Sequence, residues 1–183
     1  MYPEDYKKKH YDLGELETIL EGFYRPGHFQ GVCEVVDNLL SIVNPHNLYM
    51  GQKDFQQCMV IKKLLQITGR ENEIILKIVP TIRENDGLAM SSRNMRLTTE
   101  QRNLAAALNE ALASVKQGLP HSPINALKSA AKKSLEDKGF AVDYFEVAEA
   151  ASLVPTEDNK GKLVALVAAS IGNIRLIDNL LLN

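Results

Sequence analysis

Three short runs in this 183-residue sequence hold side chains whose types and spacing suit chemistry on an anion. The first is Gly51-Gln52-Lys53-Asp54-Phe55-Gln56-Gln57. It follows a strand-like apolar stretch and opens a helical one, the corner at which open α/β sheets bind ligands. Gly51 permits a tight backbone turn, the free N–H groups of a helix start attract negative charge, and Lys53 adds a mobile cation. Gln57 falls about one turn into the helix, with an amide that both donates and accepts. The same residues also read as ordinary helix-start chemistry, with Asp54 as N-cap and Lys53 and Gln56 as solvated surface.

The second run is Pro80-Thr81-Ile82-Arg83-Glu84-Asn85-Asp86-Gly87-Leu88-Ala89-Met90-Ser91-Ser92-Arg93-Asn94, which follows another strand-like stretch. Two adjacent hydroxyls, Ser91 and Ser92, and the fork of Arg93 form a set of phosphate donors. Asp86-Gly87 would let the segment flex as a lid. The alternative is a linker in which Ser and Asn cap helices and Asp-Gly makes a common turn. The third run is Arg25-Pro26-Gly27-His28-Phe29. Arg25 suits a carboxylate or phosphate, and His28 offers an imidazole, the side chain type most suited to proton transfer near neutrality. Standing singly in the sequence, His28 reads as a residue near a helix start, with Phe29 packed inside. His10, His46 and His121 stand singly without metal-ligand spacing, and Phe55, Met59, Tyr144 and Phe145 read as core.

These runs need elements to hold them. Leu13 to Phe23 shows a short helical pattern closed by Arg25-Pro26-Gly27. Val32, Val35, Val36, Leu39, Leu40 and Val43 recur at the spacing of one helix face, ended by Asn44-Pro45. Leu48 to Met50 predicts a strand, Asp54 to Thr68 a helix stopped at Gly69, and Ile74 to Val79 a strand stopped at Pro80. That order predicts a βαβ unit with a parallel pair and a right-handed crossover. From Thr98 the pattern changes to helices over Thr98–Gln117 and Ser122–Lys138. Strands then follow over Asp143–Glu149, Lys162–Ser170 and Ile174–Leu182, with Gly172-Asn173 as a hairpin turn. The expected division is residues 1–82 as an α/β part and 83–183 as a small α+β part. A parallel sheet of two strands does not bury both faces, so the front part reads as the tail of a larger α/β domain.

Composition narrows the function classes. Lys plus Arg number 21 against 23 Asp plus Glu, a net charge of −2, which lacks the basic field a general nucleic-acid binder needs. The content of 45% hydrophobic and 24% charged residues is that of a globular chain. The longest apolar run, Leu163 to Ala169, is far too short to span a bilayer. No signal-peptide stretch follows Met1. Cys33 and Cys58, without ligand spacing, read as buried thiols of a cytoplasmic protein.

Taken together, the three runs resemble the pantothenate synthetases, or pantoate–β-alanine ligases. The resemblance rests on Arg-Pro-Gly-His-Phe at 25–29, Gly-Gln-Lys-Asp-Phe-Gln-Gln at 51–57, Pro-Thr-Ile-Arg-Glu at 80–84 and Asp-Gly-Leu-Ala-Met-Ser-Ser-Arg-Asn at 86–94. Val142-Asp143-Tyr144 and Arg175-Leu176-Ile177-Asp178-Asn179 extend it to the end of the chain. It implies an α/β fold: part of a Rossmann-like nucleotidyltransferase domain in 1–82, then a small α+β lid domain in 83–183 with an antiparallel three-stranded sheet. It further implies an ATP- and Mg2+-dependent ligase that adenylates pantoate, releases pyrophosphate and lets the β-alanine amine displace AMP. By resemblance Gly51, Gln52, Lys53, Asp54, Ile82, Met90, Ser91, Ser92 and Arg93 belong to the ATP site, Ile82 through its backbone. Lys53, Ser91, Ser92 and Arg93 would stabilise the reacting phosphates. Gln57 carries over as a pantoate ligand and Arg25 as an arginine near the reacting groups. No metal ligand of the protein's own is implied, and a homodimer is the suggested assembly.

One departure is large. The family's His-x-Gly-His motif lies upstream of everything seen here, and none of the four histidines reproduces it. The expectation is therefore a carboxyl-terminal portion of the enzyme, inactive alone. Two other readings stay open at this point: a related nucleotidyltransferase with another acid acceptor, and a non-catalytic fragment.

Overall fold

The computed structural model describes residues 8–183. The chain forms two compact units, one ending at Val79 and the other spanning Pro80–Asn183. No helix among the described residues is long and apolar enough to cross a membrane.

The first unit is built on a βαβ core. Strand β1 (Asn47–Gly51) and strand β2 (Ile75–Val79) pair in parallel, with Asn47 opposite Ile75 and Gly51 opposite Val79. Before them come helices α1 (Glu21–Tyr24) and α2 (His28–Val43), and between them lies α3 (Phe55–Ile67). Leu48 and Met50 pack with Val60, Ile61 and Leu64 of α3, as the alternation of a half-covered strand requires. The opposite face carries exposed Tyr49, Ile75 and Val79, with the Lys77 ammonium 5.4 Å from the Tyr49 ring centre.

Two sequence expectations change here. Leu13–Phe23 is not one helix but a 3-10 turn (Gly14–Glu17) and the four-residue α1, broken at Leu20 with φ 48°. Gly22 sits where a Cβ would lie 2.5 Å from the Glu17 carbonyl oxygen, so only glycine fits that fold-back. The buried face of α2 is also rotated from the predicted valine–leucine stripe. Phe29, Cys33, Asp37 and Leu40 face inward, while Val35, Leu39, Ile42 and Val43 are exposed. The reason is a buried carboxylate that is paired with cations at the surface. Asp37, 1% exposed, accepts from Lys9 Nζ at 2.7 Å, Tyr11 Oη at 2.9 Å and Arg70 Nη1 at 2.8 Å. Burial alone would raise that carboxyl. The hydrogen bonds from Lys9, Tyr11 and Arg70 outweigh it and hold the group below the usual carboxylate range. A helix apolar on most sides thus seats its one paired acid inside. At its end Asn44 takes the left-handed conformation and its N–H returns to the Leu40 carbonyl, the expected stop.

The second unit places helices against an antiparallel sheet. The helices are α4 (Thr99–Ala105), α5 (Ala107–Gly118) and α6 (Ile124–Glu136), and the sheet order is β3 (Ala141–Glu149), β4 (Leu163–Ile171), β5 (Ile174–Leu181). The helix expected over Thr98–Gln117 is interrupted at Ala106, and its start carries a reciprocal cap between Thr98 and Gln101. Leu108, Leu112 and Val115 of α5 and Leu135 of α6 share one core with Val147, Leu163, Ala165 and Val167. Gly172, with φ 55°, opens the two-residue turn between β4 and β5, the glycine-first pattern of a hairpin. A register shift between Val142 and Tyr144 frees Asp143 from the ladder, and its carboxylate accepts from Arg175 Nε at 2.7 Å.

Candidate functional site

The run at 51–57 lies, as expected, at the carboxyl end of a strand and the start of a helix. Gly51 ends β1 in ordinary extended backbone, and a Cβ there would meet nothing within 4 Å. The glycine is therefore not needed for a tight turn; it leaves the strand end uncovered. Gln52–Asp54 form a 3-10 turn leading into α3, and Asp54 stands at the cap position without a side-chain capping bond. The capping alternative is not realised, and Asp54 is exposed beside half-buried Gln52 and Lys53. The Cys58 thiol donates to the Gly51 carbonyl at 3.5 Å, and burial, then the Asp54 charge, push it up to about 11.

The two neighbouring glutamines divide their work. Gln56 is 3% exposed rather than solvated. Its Oε1 accepts from the Glu21 N–H at 2.9 Å, and its Nε2 donates to the Leu16 and Ile19 carbonyls at 3.0 Å each. That amide is fully spent on holding the broken segment before α2. Gln57 instead lines an open cavity of about 620 Å3 together with Gly27, His28, Gly31, Val32, Val35 and Val36. The wall is therefore branched and apolar with one amide and one imidazole on it. Phe29 is buried, as expected, but His28 borders the cavity 5.2 Å from the Phe29 ring rather than serving the core alone. Sequence reasoning missed the valines as cavity residues because a helical apolar stripe reads as core. Their partial exposure is the signal that sequence lacks. Arg25 is exposed just after α1, its N–H bonded to the Glu21 carbonyl at 2.9 Å.

The run at 80–94 lies wholly in the second unit and folds into a pinned loop. Arg83 and Ala89 form an antiparallel bridge, Glu84 N–H reaches the Leu88 carbonyl at 2.8 Å, and Met90 N–H reaches the Ile82 carbonyl at 2.9 Å. The last bond joins two of the residues expected at the nucleotide. The Ile82 side chain is 71% exposed, so its backbone is the ordered part. Ser91 Oγ accepts from the Arg93 N–H at 3.3 Å and caps a 3-10 turn over Ser92–Arg96, so the capping reading holds for Ser91. Ser92 and Arg93 are exposed, and Arg93 Nη1 donates to the Arg175 carbonyl at 3.4 Å. Asn94 Nδ2 donates to the Ala89 carbonyl at 3.0 Å. Two buried oxygens in this run, Thr81 Oγ1 and Asn94 Oδ1, have no hydrogen-bond partner.

Asp86, expected to flex with Gly87, has side-chain and backbone partners. Asp86 pairs closely with Arg102 of α4 and also accepts from the Leu88 N–H at 3.1 Å. Arg102, then that N–H, hold its carboxyl below the usual range. Among the described residues no group of three or more His, Cys, Asp or Glu side chains is placed to hold a metal ion.

Comparison with known proteins matches this arrangement of parts. A family model described as pantoate-beta-alanine ligase matches residues 1–181. A pantothenate synthetase of Fervidobacterium nodosum is 38% identical over 185 residues, covering all of this chain and 65% of that protein. One of Pseudothermotoga lettingae is 42% identical over 187 residues, again covering all of this chain and 65% of its own length. Among solved structures, pantothenate synthetase from Thermus thermophilus superposes with a TM-score of 0.93 at 35% identity, over 100% of this chain and 66% of that one. The ligase from Francisella tularensis, complexed with beta-gamma ATP and beta-alanine, gives 0.70 at 34% identity, over 92% of this chain and 56% of that one. The chain thus spans just under two thirds of the length of the relatives it matches.

Proposed function

The chain belongs to the pantoate-beta-alanine ligase family, and from that premise we propose that it carries the pantoate pocket and the phosphate loop of an ATP-dependent, AMP-forming pantoate–β-alanine ligase. One observation carries the proposal: Gln57 stands on the wall of a cavity otherwise formed by Val32, Val35, Val36, glycines and His28. Pantoate has a geminal dimethyl carbon beside hydroxyl and carboxylate oxygens. Valine methyls suit the first, and a single donating and accepting amide orients the second. The ligand complex of the Francisella relative supports ATP and β-alanine as the other substrates.

In the reaction a pantoate carboxylate oxygen attacks the α-phosphorus of ATP and pyrophosphate leaves. The β-alanine amine then attacks the acyl carbon of the pantoyl adenylate, loses a proton and expels AMP. Negative charge gathers on the phosphates in the first step. Lys53 at the start of α3, and Ser91, Ser92 and Arg93 in the pinned loop, act on it by position and electrostatics. Gly51, Gln52, Asp54 and Met90 line the nucleotide with Lys53, and the backbone of Ile82 contacts adenine. Arg25 attends the reacting groups. Magnesium, bound with the nucleotide, would neutralise charge on its phosphates. Residues 1–82 act as the nucleotide-binding part and 83–183 as the lid part, in a cytoplasmic homodimer.

The test is ATP–pyrophosphate exchange by the complete gene product with a panel of small hydroxy acids. Exchange should depend on pantoate, and Gln57→Ala should raise the pantoate requirement at least tenfold while leaving the ATP requirement within twofold. Equal losses for both substrates, or exchange driven better by another acid, would reject the assignment. These 183 residues, which include no His-x-Gly-His motif, are expected to form no pantothenate when purified and assayed alone.

A further inference from the structure

Arg83 lies in the loop that bears Ser91–Arg93, and its side chain is bonded to Gly87, Asp178 and Asn179. Nη1 donates to Asp178 Oδ2 at 2.6 Å and Nη2 to Asp178 Oδ1 at 3.0 Å, a fork-to-fork pair. The same guanidinium donates to the Gly87 carbonyl at 2.9 Å and the Asn179 carbonyl at 3.3 Å. Asp178, 4% exposed, sits in β5 and also accepts from the Asn179 N–H at 2.8 Å. One side chain therefore ties the tip of the Ile82–Met90 loop to the last strand of the sheet.

We propose that Arg83 and Asp178 are positioning residues for nucleotide binding: their pair seats the Ile82–Arg93 loop on β5, so that Ser92 and Arg93 form a fixed cradle for phosphate rather than a flap. The geometry argues for this over a purely structural role. The pair closes the loop between Ile82 and Met90, the two residues whose backbones are bonded to each other. It closes it onto the strand whose Arg175 carbonyl also receives Arg93. Arg175 is fixed in turn by Asp143. Loop and strand are thus joined at both ends, and a shift at Asp178 displaces the donors without touching any of them. The proposal rests on the assignment of Ser91–Arg93 to ATP phosphates.

The experiment measures pantoate-dependent ATP–pyrophosphate exchange by the complete gene product, with hydrogen exchange followed over residues 82–97. Asp178→Asn should raise the KM for ATP at least tenfold and leave that for pantoate within twofold. The Glu84 and Met90 amides should exchange at least tenfold faster, while those of α5 and β4 stay protected. Arg83→Lys keeps the charge without the fork and should show the same pattern more weakly; it carries the test if Asp178→Asn fails to fold. Arg102→Ala, which opens the exposed pair at Asp86, should leave both KM values within twofold. Faster loop exchange with an unchanged KM for ATP would overturn the positioning role while leaving the site assignment intact. Equal loss for ATP and pantoate would overturn it too. Wild-type protein without pantoate-dependent exchange would overturn the functional assignment, and this proposal with it.

Discussion

Replacing Gln56 by alanine should damage the fold, whereas the same change one residue later should damage substrate binding. The Gln56 amide serves three backbone groups, at 2.9, 3.0 and 3.0 Å. The Ile19 carbonyl keeps the Gly22 N–H at 2.8 Å, so the truncation chiefly strips the Glu21 N–H and the Leu16 carbonyl of this partner. A buried polar group left unmade costs about 1–3 kcal/mol, so two give roughly 2–6 kcal/mol. That is a large part of the roughly 5–15 kcal/mol of a typical domain. In a unit of this size each kcal/mol moves the melting midpoint by about 4–8 °C, so the fall should be at least about 8 °C. Gln57→Ala, half-exposed at the cavity, should change stability by less than about 0.5 kcal/mol, as surface changes usually do. Differential scanning calorimetry suits the comparison, with both variants measured against the unaltered chain. A Gln56→Ala protein that melts within a degree or two of wild type would refute the reasoning, as would a larger fall for Gln57→Ala.

Lys53→Ala and Arg93→Ala in the complete gene product should each slow pantoate adenylation about a hundredfold or more, since removing one transition-state donor costs roughly 2.7–4 kcal/mol. Single-turnover pyrophosphate release reads this directly, and rates within a few-fold of wild type would remove them from the site. Because the Asp37 carboxyl is held below its unfolded value, its contribution is present above pH ~4 and lost as pH falls through the folded value. The melting midpoint should therefore fall as the pH drops below about 4, and Asp37→Asn should lower it at neutral pH and flatten that slope. Burial pushes the Cys33 thiol up to about 12 and Cys58 up to about 11, so neither should react with iodoacetamide at about pH 8 until the chain is unfolded. Native labelling at the rate of a small thiol would contradict that.

The βαβ core and the terminal meander are legible in the sequence because local signals bound them. Pro80 ends one strand, and Gly172-Asn173 turns another within two residues. What the sequence does not disclose is made at a distance. The break at Leu20 is stabilised by Gln56, between 35 and 40 residues away. The rotation of α2 follows from Lys9, Tyr11 and Arg70 converging on Asp37. A local pattern holds no record of either. The motif at 51–57 is readable as a ligand corner, but not the split between Gln56 and Gln57, because both fall in one turn of helix and only packing tells them apart. Asp-Gly in the loop at 80–94 predicts a turn, but not the partners that Asp86 and Arg83 find in Arg102 and Asp178, 16 and 95 residues away.

The fork between Arg83 and Asp178 also sets an order of assembly. Its partners are 95 residues apart, while the helices and strands between them meet mainly their sequence neighbours. Contacts of short separation form first, and closing a long loop becomes easier once the intervening chain is compact. The sheet must therefore be complete through β5 before the loop has anywhere to dock. A growing chain can therefore seat the loop that bears Ser91–Arg93 only as one of the last events of folding, since a chain that stops before Asp178 lacks the carboxylate that receives Arg83.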